Sequence, residues 1–189
     1  DLSELLAHEL KLKASKKTET KLTPQSSISN DANSNDINFS HLHNHSQFSV
    51  LQSVSDIGDL VKRASDYNMP GLAITDHGNM YGAFLFWQTI DKQNKNIKSH
   101  NEAIEKGEKI GEKKQELKCI IGCELYINAN RTDKTKQDNG FSIPFLAKNK
   151  KGYENLSKLS SYGFTEGFYY VPRIDKELLL RYKSDIIVT

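Results

Sequence analysis

The sequence is short of cysteine, of long apolar runs and of net charge, and these absences exclude several classes of protein. Its two cysteines, Cys119 and Cys123, are four apart on a predicted strand, which separates them by about 13 Å. Because that distance is too long for a disulfide, a reduced, cytoplasmic protein is expected. No apolar run approaches the ~20 residues of a membrane helix and nothing resembles a signal peptide, so no membrane partner is expected.

The charge balance neither indicates nor excludes nucleic acid, since 26 basic residues face 24 acidic ones and the net charge is +2. The 189 residues suffice for one domain with a sizeable core. The chain begins at Asp1 without a methionine and stops at Thr189 inside an apolar run. We interpret it as part of a longer protein.

Residues 1–38 are expected to form a flexible N-terminal extension or linker. Leucines at helical spacing predict a short amphipathic helix at 2–12. Residues 11–38 are rich in Lys, Thr, Ser, Asn and Asp, and they carry too little apolar surface to offset the entropy of ordering. The folded domain is therefore expected at 39–189.

Strand-like and helix-like runs alternate from residue 39 onwards. The connections are long enough for right-handed crossovers, which indicates an α/β architecture with a parallel sheet. The predicted strands are 39–45, 72–75, 119–127, 141–147 and 185–189. The predicted helices begin at a cap near 55–56 and at Asn79, and cover 150–162 and 174–182.

Residues 91–117 interrupt this alternation with seven lysines and six acidic residues. The pairs Glu102/Lys106 and Glu105/Lys109 have the spacing and order that support a helix. We interpret the stretch as a solvated, partly helical surface insertion. A nucleic-acid patch is the alternative, and the interleaved acids argue against it.

Histidines are concentrated in the first predicted strand, residues 39–45. Successive side chains on a strand point to opposite faces, so His41 and His43 share one face and their ring nitrogens are able to converge on metal. His45 continues this parity only if the strand has not yet ended, which makes it a weaker candidate. A polar loop with a chance run of histidines is the alternative.

Two further predicted strands also end in polar residues, at Asp76-His77 and at Glu124. Strand ends of this kind build the functional rim of α/β sheets and barrels. Imidazole and carboxylate suit zinc, manganese or iron, and a cluster of them suits metals that activate water and bind a phosphoryl group. Metal-assisted phosphoester hydrolysis is the predicted reaction class.

Each of these polar residues also has a simpler interpretation. Asp76 is equally explained as a cap or as a group that orients its neighbours, and His77 as a surface histidine. Glu124 on an apolar strand is harder to explain in that way, because a buried carboxylate without a partner is costly. Gly122 lies beside Glu124 and leaves room for its contacts, while the cysteines face the other way and pack.

Three segments, 41–49, 73–82 and 121–124, resemble the first three motifs of the PHP (polymerase and histidinol phosphatase) domain. Residues 146–156 and 167–175 are similar to the branch of that family found in the alpha subunit of bacterial DNA polymerase III. The resemblance covers 39–189 and implies a distorted seven-stranded (β/α) barrel. About the first five strands would lie in this chain.

The resemblance also implies function. The rim would hold divalent metal, zinc or manganese above all, and would have 3′–5′ exonuclease activity. Template-directed DNA synthesis would use magnesium and catalytic carboxylates that lie outside this chain, so its polymerase residues are unknown. DNA, deoxynucleotides, a sliding clamp and a proofreading subunit are the implied partners. The positions that match metal ligands of the family are His41, His43, His77 and Glu124.

Two positions depart from the family pattern. Gln52 stands where metal-binding relatives have an acidic residue, and Ser142 stands where they have a histidine. Both are poorer ligands for these metals, so fewer bound ions are expected. Two alternatives stay open: a stand-alone phosphoesterase similar to histidinol phosphatase, and a structural platform without activity. The polymerase-type segments count against the first, and Gln52 and Ser142 count for the second.

Overall fold

Residues 39–189, the part of the chain that this structure, a computed structural model, describes, form five strands and four helices. The predicted extension at 1–38, with its helix at 2–12, lies outside the described residues. The strands are β1 (Gly71–Ile74), β2 (Lys118–Asn128), β3 (Phe141–Ala147), β4 (Arg173–Asp175) and β5 (Ile186–Val188). The helices are α1 (Ile57–Asp66), α2 (Ala83–Glu105), α3 (Lys150–Thr165) and α4 (Lys176–Tyr182).

The strands form one mixed sheet centred on β2. β1 runs parallel to the first residues of β2 and β4 parallel to its last ones, whereas β3 runs antiparallel to β2 and β5 antiparallel to β3. The predicted parallel sheet is therefore wrong for β3 and β5, while β1 and β4 do pair with β2 in parallel. Residues 129–140 join β2 to β3 without a helix, and antiparallel neighbours are the pairs that a loop alone connects. The seven-stranded barrel stays a prediction.

The histidine segment 39–45 is extended but is not the predicted strand, because it forms only one bridge to β1, at His41. The carbonyl of His41 accepts from the Ala73 N–H, and the carbonyl of Asn44 accepts from the Thr75 N–H. Between these two hydrogen bonds the histidine segment advances three residues, whereas β1 and the residue after it advance two. This slip of one residue changes which histidines share a face.

Two apolar clusters hold the helices against the sheet. The first joins α1 and α2 to β1 and consists of Ile57, Val61, Ala64, Leu72, Ile74, Phe86, Ile90 and Leu117. The second joins α3 and α4 to β2, β3 and β4 and consists of Cys123, Leu125, Phe145, Leu156, Leu159, Ile174 and Leu178. Both clusters lie behind the strand ends that carry the polar residues.

Helix α2 extends well into the charged stretch and is 23 residues long. Ile97 is buried on this extension, as is Leu117 just before β2. The Asn94 side chain also bonds both backbone groups of Leu117. The predicted surface insertion is thus tied to the core at both ends.

No helix in the described residues is long and apolar enough to cross a membrane.

The loops beside β4 are fastened by two arginines. Arg173 is completely buried, and its guanidinium donates to backbone carbonyls of Gly167, Asp138, Arg131 and Asp133. Arg131 in turn pairs with the carboxylates of Glu166 and Asp175. Asp175 also caps α4 by accepting from the Leu178 N–H, which explains why that helix starts after the predicted residue 174.

Candidate metal centre

Glu124 is the centre of the polar cluster at the strand ends. It lies on β2 and is only 7% exposed. Ser142 Oγ on β3 donates to Glu124 Oε1 over 2.6 Å. His43 Nε2 lies 2.7 Å from Glu124 Oε2, and His45 Nε2 lies 2.5 Å from the same oxygen. Two imidazoles and one hydroxyl thus converge on a single buried carboxylate.

The electrostatics of the cluster keep Glu124 ionised. Burial works to raise the pKa of this carboxyl, but hydrogen bonds from Ser142, His43 and His45 outweigh it and lower the pKa to about 2. At neutral pH Glu124 is therefore an anion with its oxygens directed at nitrogen and oxygen donors. That is the protonation state in which a carboxylate binds a cation.

His77 lies at the edge of this cluster. Its ring is stacked on that of His45 with centroids 5.7 Å apart, and its Nε2 lies 4.0 Å from Glu124 Oε1 and 3.1 Å from Ser142 Oγ. Burial lowers the pKa of His77 and prevails over the opposing field of Glu124. A neutral imidazole results, which is the form that binds metal or accepts a proton.

The ligand atoms that lie close together belong to His43, His45 and Glu124, all within 4.8 Å of one another. His41 is not among them in the described residues; it is exposed, with its ring edge-to-face on Phe39 at 4.8 Å. The one-residue slip beside β1 explains this arrangement. It separates His41 from His43 and His45, and His45, the weaker candidate of the sequence, faces Glu124 together with His43.

Asp76 does not face the ligand atoms. It is 2% exposed and accepts from the Ser46 N–H and the Ser49 hydroxyl at 2.7 Å, and from the Ser46 hydroxyl at 2.8 Å. The Ser49 hydroxyl also accepts from the His77 N–H. Asp76 thus fixes the loop after His45. The two serines were missed in the sequence, where their nearness to the histidines was the only signal.

A cavity of about 420 Å³ opens beside the cluster and is lined by His43, His45 and Gln52, among others. Gln52 shares this cavity with two of the ligand residues, and its role as a weak ligand stays a prediction. On the other side of Glu124, Gly122 serves a purpose that its position did not predict. A Cβ there would lie 2.5 Å from the Phe145 carbonyl oxygen, so the glycine lets β3 approach.

The residues present fit a transition metal. Two imidazole nitrogens and a carboxylate oxygen lie close together, and His77 adds a third imidazole beside them. This donor set is the one that zinc, manganese and iron bind in proteins. The cysteines take no part, because burial raises the pKa of Cys119 to about 11 and raises that of Cys123 as well.

The sequence of the chain matches a family model described as "PHP domain" over residues 41–189. The chain belongs to the PHP domain family. This PHP domain is 42% identical over 150 residues to the DNA polymerase III subunit alpha of Chlamydia pneumoniae, which covers 77% of the chain and 10% of the relative. The resemblance that the motifs predicted is confirmed.

Other relatives of this PHP domain have the same description. The DNA polymerase III subunit alpha of Borreliella burgdorferi is 39% identical over 155 residues, covering 80% of the chain and 12% of the relative. That of Helicobacter pylori strain 26695 is 37% identical over 152 residues, covering 80% and 11%. The chain thus spans about a tenth of the length of the curated relatives that it matches.

Proposed function

We propose that this chain is the PHP portion of a replicative DNA polymerase III alpha subunit, and that its rim hydrolyses phosphodiester bonds at DNA 3′ ends with a bound divalent metal. The observation that carries the hydrolytic part is the convergence of His43 Nε2 and His45 Nε2 on Glu124 Oε2. The relatives at 37–42% identity support the polymerase context.

In this proposal His43, His45 and Glu124 hold the ion, zinc or manganese. When bound, the ion would supply an activated water and neutralise charge on the phosphoryl oxygens. Ser142 orients Glu124 through its 2.6 Å hydrogen bond. His77 is buried enough to stay neutral at pH 7, so its ring offers a proton acceptor next to the ligand group.

The polymerase activity is proposed for the intact protein, not for this chain. Template-directed DNA synthesis would use deoxynucleotides, magnesium and carboxylates of a separate domain. The sliding clamp and the proofreading subunit would be partners in the cytoplasm. His41 matches a family ligand position and stays a prediction, since its side chain is turned toward Phe39 in this structure.

The test combines metal content with hydrolysis of a 3′-labelled single-stranded DNA by the intact polymerase. His43→Ala should lose the metal and the hydrolysis, whereas primer extension should stay near normal. His100→Ala is the matched control, because His100 is a half-buried histidine on α2 whose side chain bonds the Glu112 carbonyl and does not belong to the ligand group. A small phosphate ester cleaved faster than DNA would favour the stand-alone phosphoesterase.

A structural platform is the second candidate, and one observation favours it. The Glu124 carboxylate is bonded by Ser142, His43 and His45, so protein donors alone are able to satisfy it. If the domain is a structural platform, the intact protein purified without added metal should contain close to no bound metal. His43→Ala should then lower the unfolding midpoint without removing any hydrolysis.

A further inference from the structure

A groove lies on the face of β2 opposite to the candidate metal centre. Cys119 and Ile121 form its floor, and Glu124 has the opposite parity on the same strand, whose pairing is uninterrupted from residue 118 to 127. The groove runs between α2 and α3 and has a volume of about 550 Å³. No residue that lines it belongs to the metal centre.

The groove exists because one connection lacks a helix. β2 and β3 are joined by residues 129–140, which contain no helix, so nothing from that connection covers the sheet between α2 and α3. An uncovered sheet face of this kind would ordinarily be lined by aliphatic residues that fit another helix. Here the walls carry three aromatic rings instead, those of Phe84, Trp87 and Tyr153.

These rings are presented to solvent. Phe84 is 69% exposed, Trp87 51% and Tyr153 41%. The Phe84 and Trp87 rings lie with their centroids 5.9 Å apart and their planes at 35°, so they form one continuous aromatic surface. Exposed aromatic rings side by side are the platforms on which bases of single-stranded nucleic acid stack.

The charge of the groove is positive. Lys148 and Lys150 line it, no acidic residue does, and neither lysine has an ion-pair partner within residues 39–189. Asp185 accepts from Asn149 Nδ2, a lining residue, but does not itself line the groove.

The first turn of α3 carries positive charge, which is unusual at the N-terminus of a helix. Lys150 and Lys151 occupy the first turn of α3, which contains no acidic residue. The helix dipole disfavours positive charge at that end by a few tenths of a kcal/mol or more. The arrangement makes sense if the charges are needed there for an anion, and two of the three lysines at 148–151 point into the groove.

We infer that this groove binds single-stranded nucleic acid, with bases stacked on Phe84, Trp87 and Tyr153 and phosphates beside Lys148 and Lys150. The site is separate from the rim and needs no metal. The bound nucleic acid would lie on one face of β2, and the candidate metal centre lies on the opposite face of β2.

Trp87 is the only tryptophan of the chain, so its fluorescence reports on the groove directly. The probe is a fluorescein-labelled oligo-dT of about 12 nucleotides, titrated into the 189-residue chain with EDTA present. EDTA keeps the rim without metal, so a failure of the hydrolytic proposal leaves this titration unaffected. We expect saturable quenching of Trp87 and tighter binding than to a duplex of equal length. The anisotropy of the fluorescein label measures the affinity of every variant, including those that lack Trp87.

Variants separate stacking from plain apolar contact. Trp87→Leu keeps an apolar side chain but removes the ring, and should weaken binding between about 5-fold and about 150-fold, the range for losing one stacked base. Trp87→Phe keeps a ring and should retain most of the affinity. Tyr67→Ala is the matched control, because Tyr67 is an exposed aromatic residue outside the groove.

The salt dependence tests the lysines. Combining Lys148→Ala with Lys150→Ala should reduce the slope of log K against log salt by about 1.4, since each phosphate contact on a single strand contributes about 0.7. The control combines Lys134→Ala with Lys136→Ala, which removes the same charge from exposed positions of the 129–140 loop. The slope of log K against log salt should then stay close to that of the wild type.

Several results would overturn the inference. These are an absence of saturable quenching, equal affinity for duplex, or unchanged binding by Trp87→Leu. Quenching by an acidic amphipathic peptide but not by oligo-dT would assign the groove to a protein partner instead.

Discussion

The side-chain amide of Asn44 donates to the main-chain carbonyl of Ala73 over 3.0 Å, taking the place of a backbone donor. The same amide lies 3.2 Å from the carbonyl of His41. These two bonds hold the one-residue slip of the histidine segment beside β1. They therefore keep His41 off the face that His43 and His45 share beside Glu124, and fix the register of that face.

Replacing Asn44 with alanine should loosen this register. The loss of the amide leaves the Ala73 carbonyl without its donor, and we expect a destabilisation of about 1–2 kcal/mol. Metal affinity should fall by about 10-fold or more, the usual effect of removing a group that orients ligands. Asn96→Ala, on the exposed side of α2, is the control. Unchanged metal affinity in a stable Asn44→Ala protein would contradict the role given to Asn44.

Asp76→Asn should be among the most destabilising single substitutions in the described part of the domain. The carboxylate accepts three hydrogen bonds while almost fully buried, and the amide would turn a donor toward the Ser46 and Ser49 groups. We expect a loss of about 3 kcal/mol, measured by urea unfolding. Ser53→Ala, which removes one hydroxyl bond to the His45 carbonyl of the same loop, should cost far less.

The stability of the domain should fall in acid through Asp175. Burial works to raise the pKa of this carboxyl, but bonds from the Leu178 N–H and from Arg131 prevail and lower the pKa below its ordinary value. A depressed pKa in the folded state gives stability that is present above the unfolded pKa of about 3.9 and is lost as pH falls through the folded value.

The check is the unfolding free energy from pH 6 down to about pH 3. Asp175→Asn should be less stable at pH 6, and its stability should decline less steeply in acid. Glu108→Gln is the control, because Glu108 makes no ion pair among residues 39–189. Parallel curves for the wild type and Asp175→Asn would refute this account.

Ser142→His should raise the number of metal ions bound. Ser142 Oγ lies 2.6 Å from Glu124 Oε1 and 3.1 Å from His77 Nε2, so an imidazole there would join the ligand group. The wild type has one good donor set, for which about one ion per protein is expected. Elemental analysis should give a higher ratio for Ser142→His than for Ser161→His, which alters an exposed position on α3. An equal ratio would show that the hydroxyl is not what limits the site.

The sequence predicted the parts of the fold that depend on local pattern. The limits of β3 and the Asp56 cap of α1 follow from apolar periodicity and from capping chemistry, and the structure confirms them. Asp76 and His77 do follow the end of β1, whereas Glu124 lies inside β2 and not at its end. The direction of β3 was predicted wrongly, because direction depends on whether a connection folds into a helix. Residues 129–140 do not, and no periodic pattern marks that outcome.

The candidate site divides in the same way, into residues that local pattern indicates and an arrangement that depends on a long-range contact. Glu124 and His43 follow from strand ends and parity. The absence of His41 from the cluster of described ligand atoms goes with a slip that a hydrogen bond between Asn44 and a residue 29 positions away supports, and parity along one strand contains no information on such a contact.

The buried guanidinium of Arg173 sets a limit on how the domain tolerates changes of length. Loops usually accept insertions and deletions. Here the carbonyls of Arg131, Asp133 and Asp138 must reach one fixed cation, so an added or removed residue between them would leave that cation short of acceptors. The exposed residues 106–113 carry no such constraint. Length variation among relatives should therefore concentrate there, and residues 131–138 should keep their number even where their side chains differ.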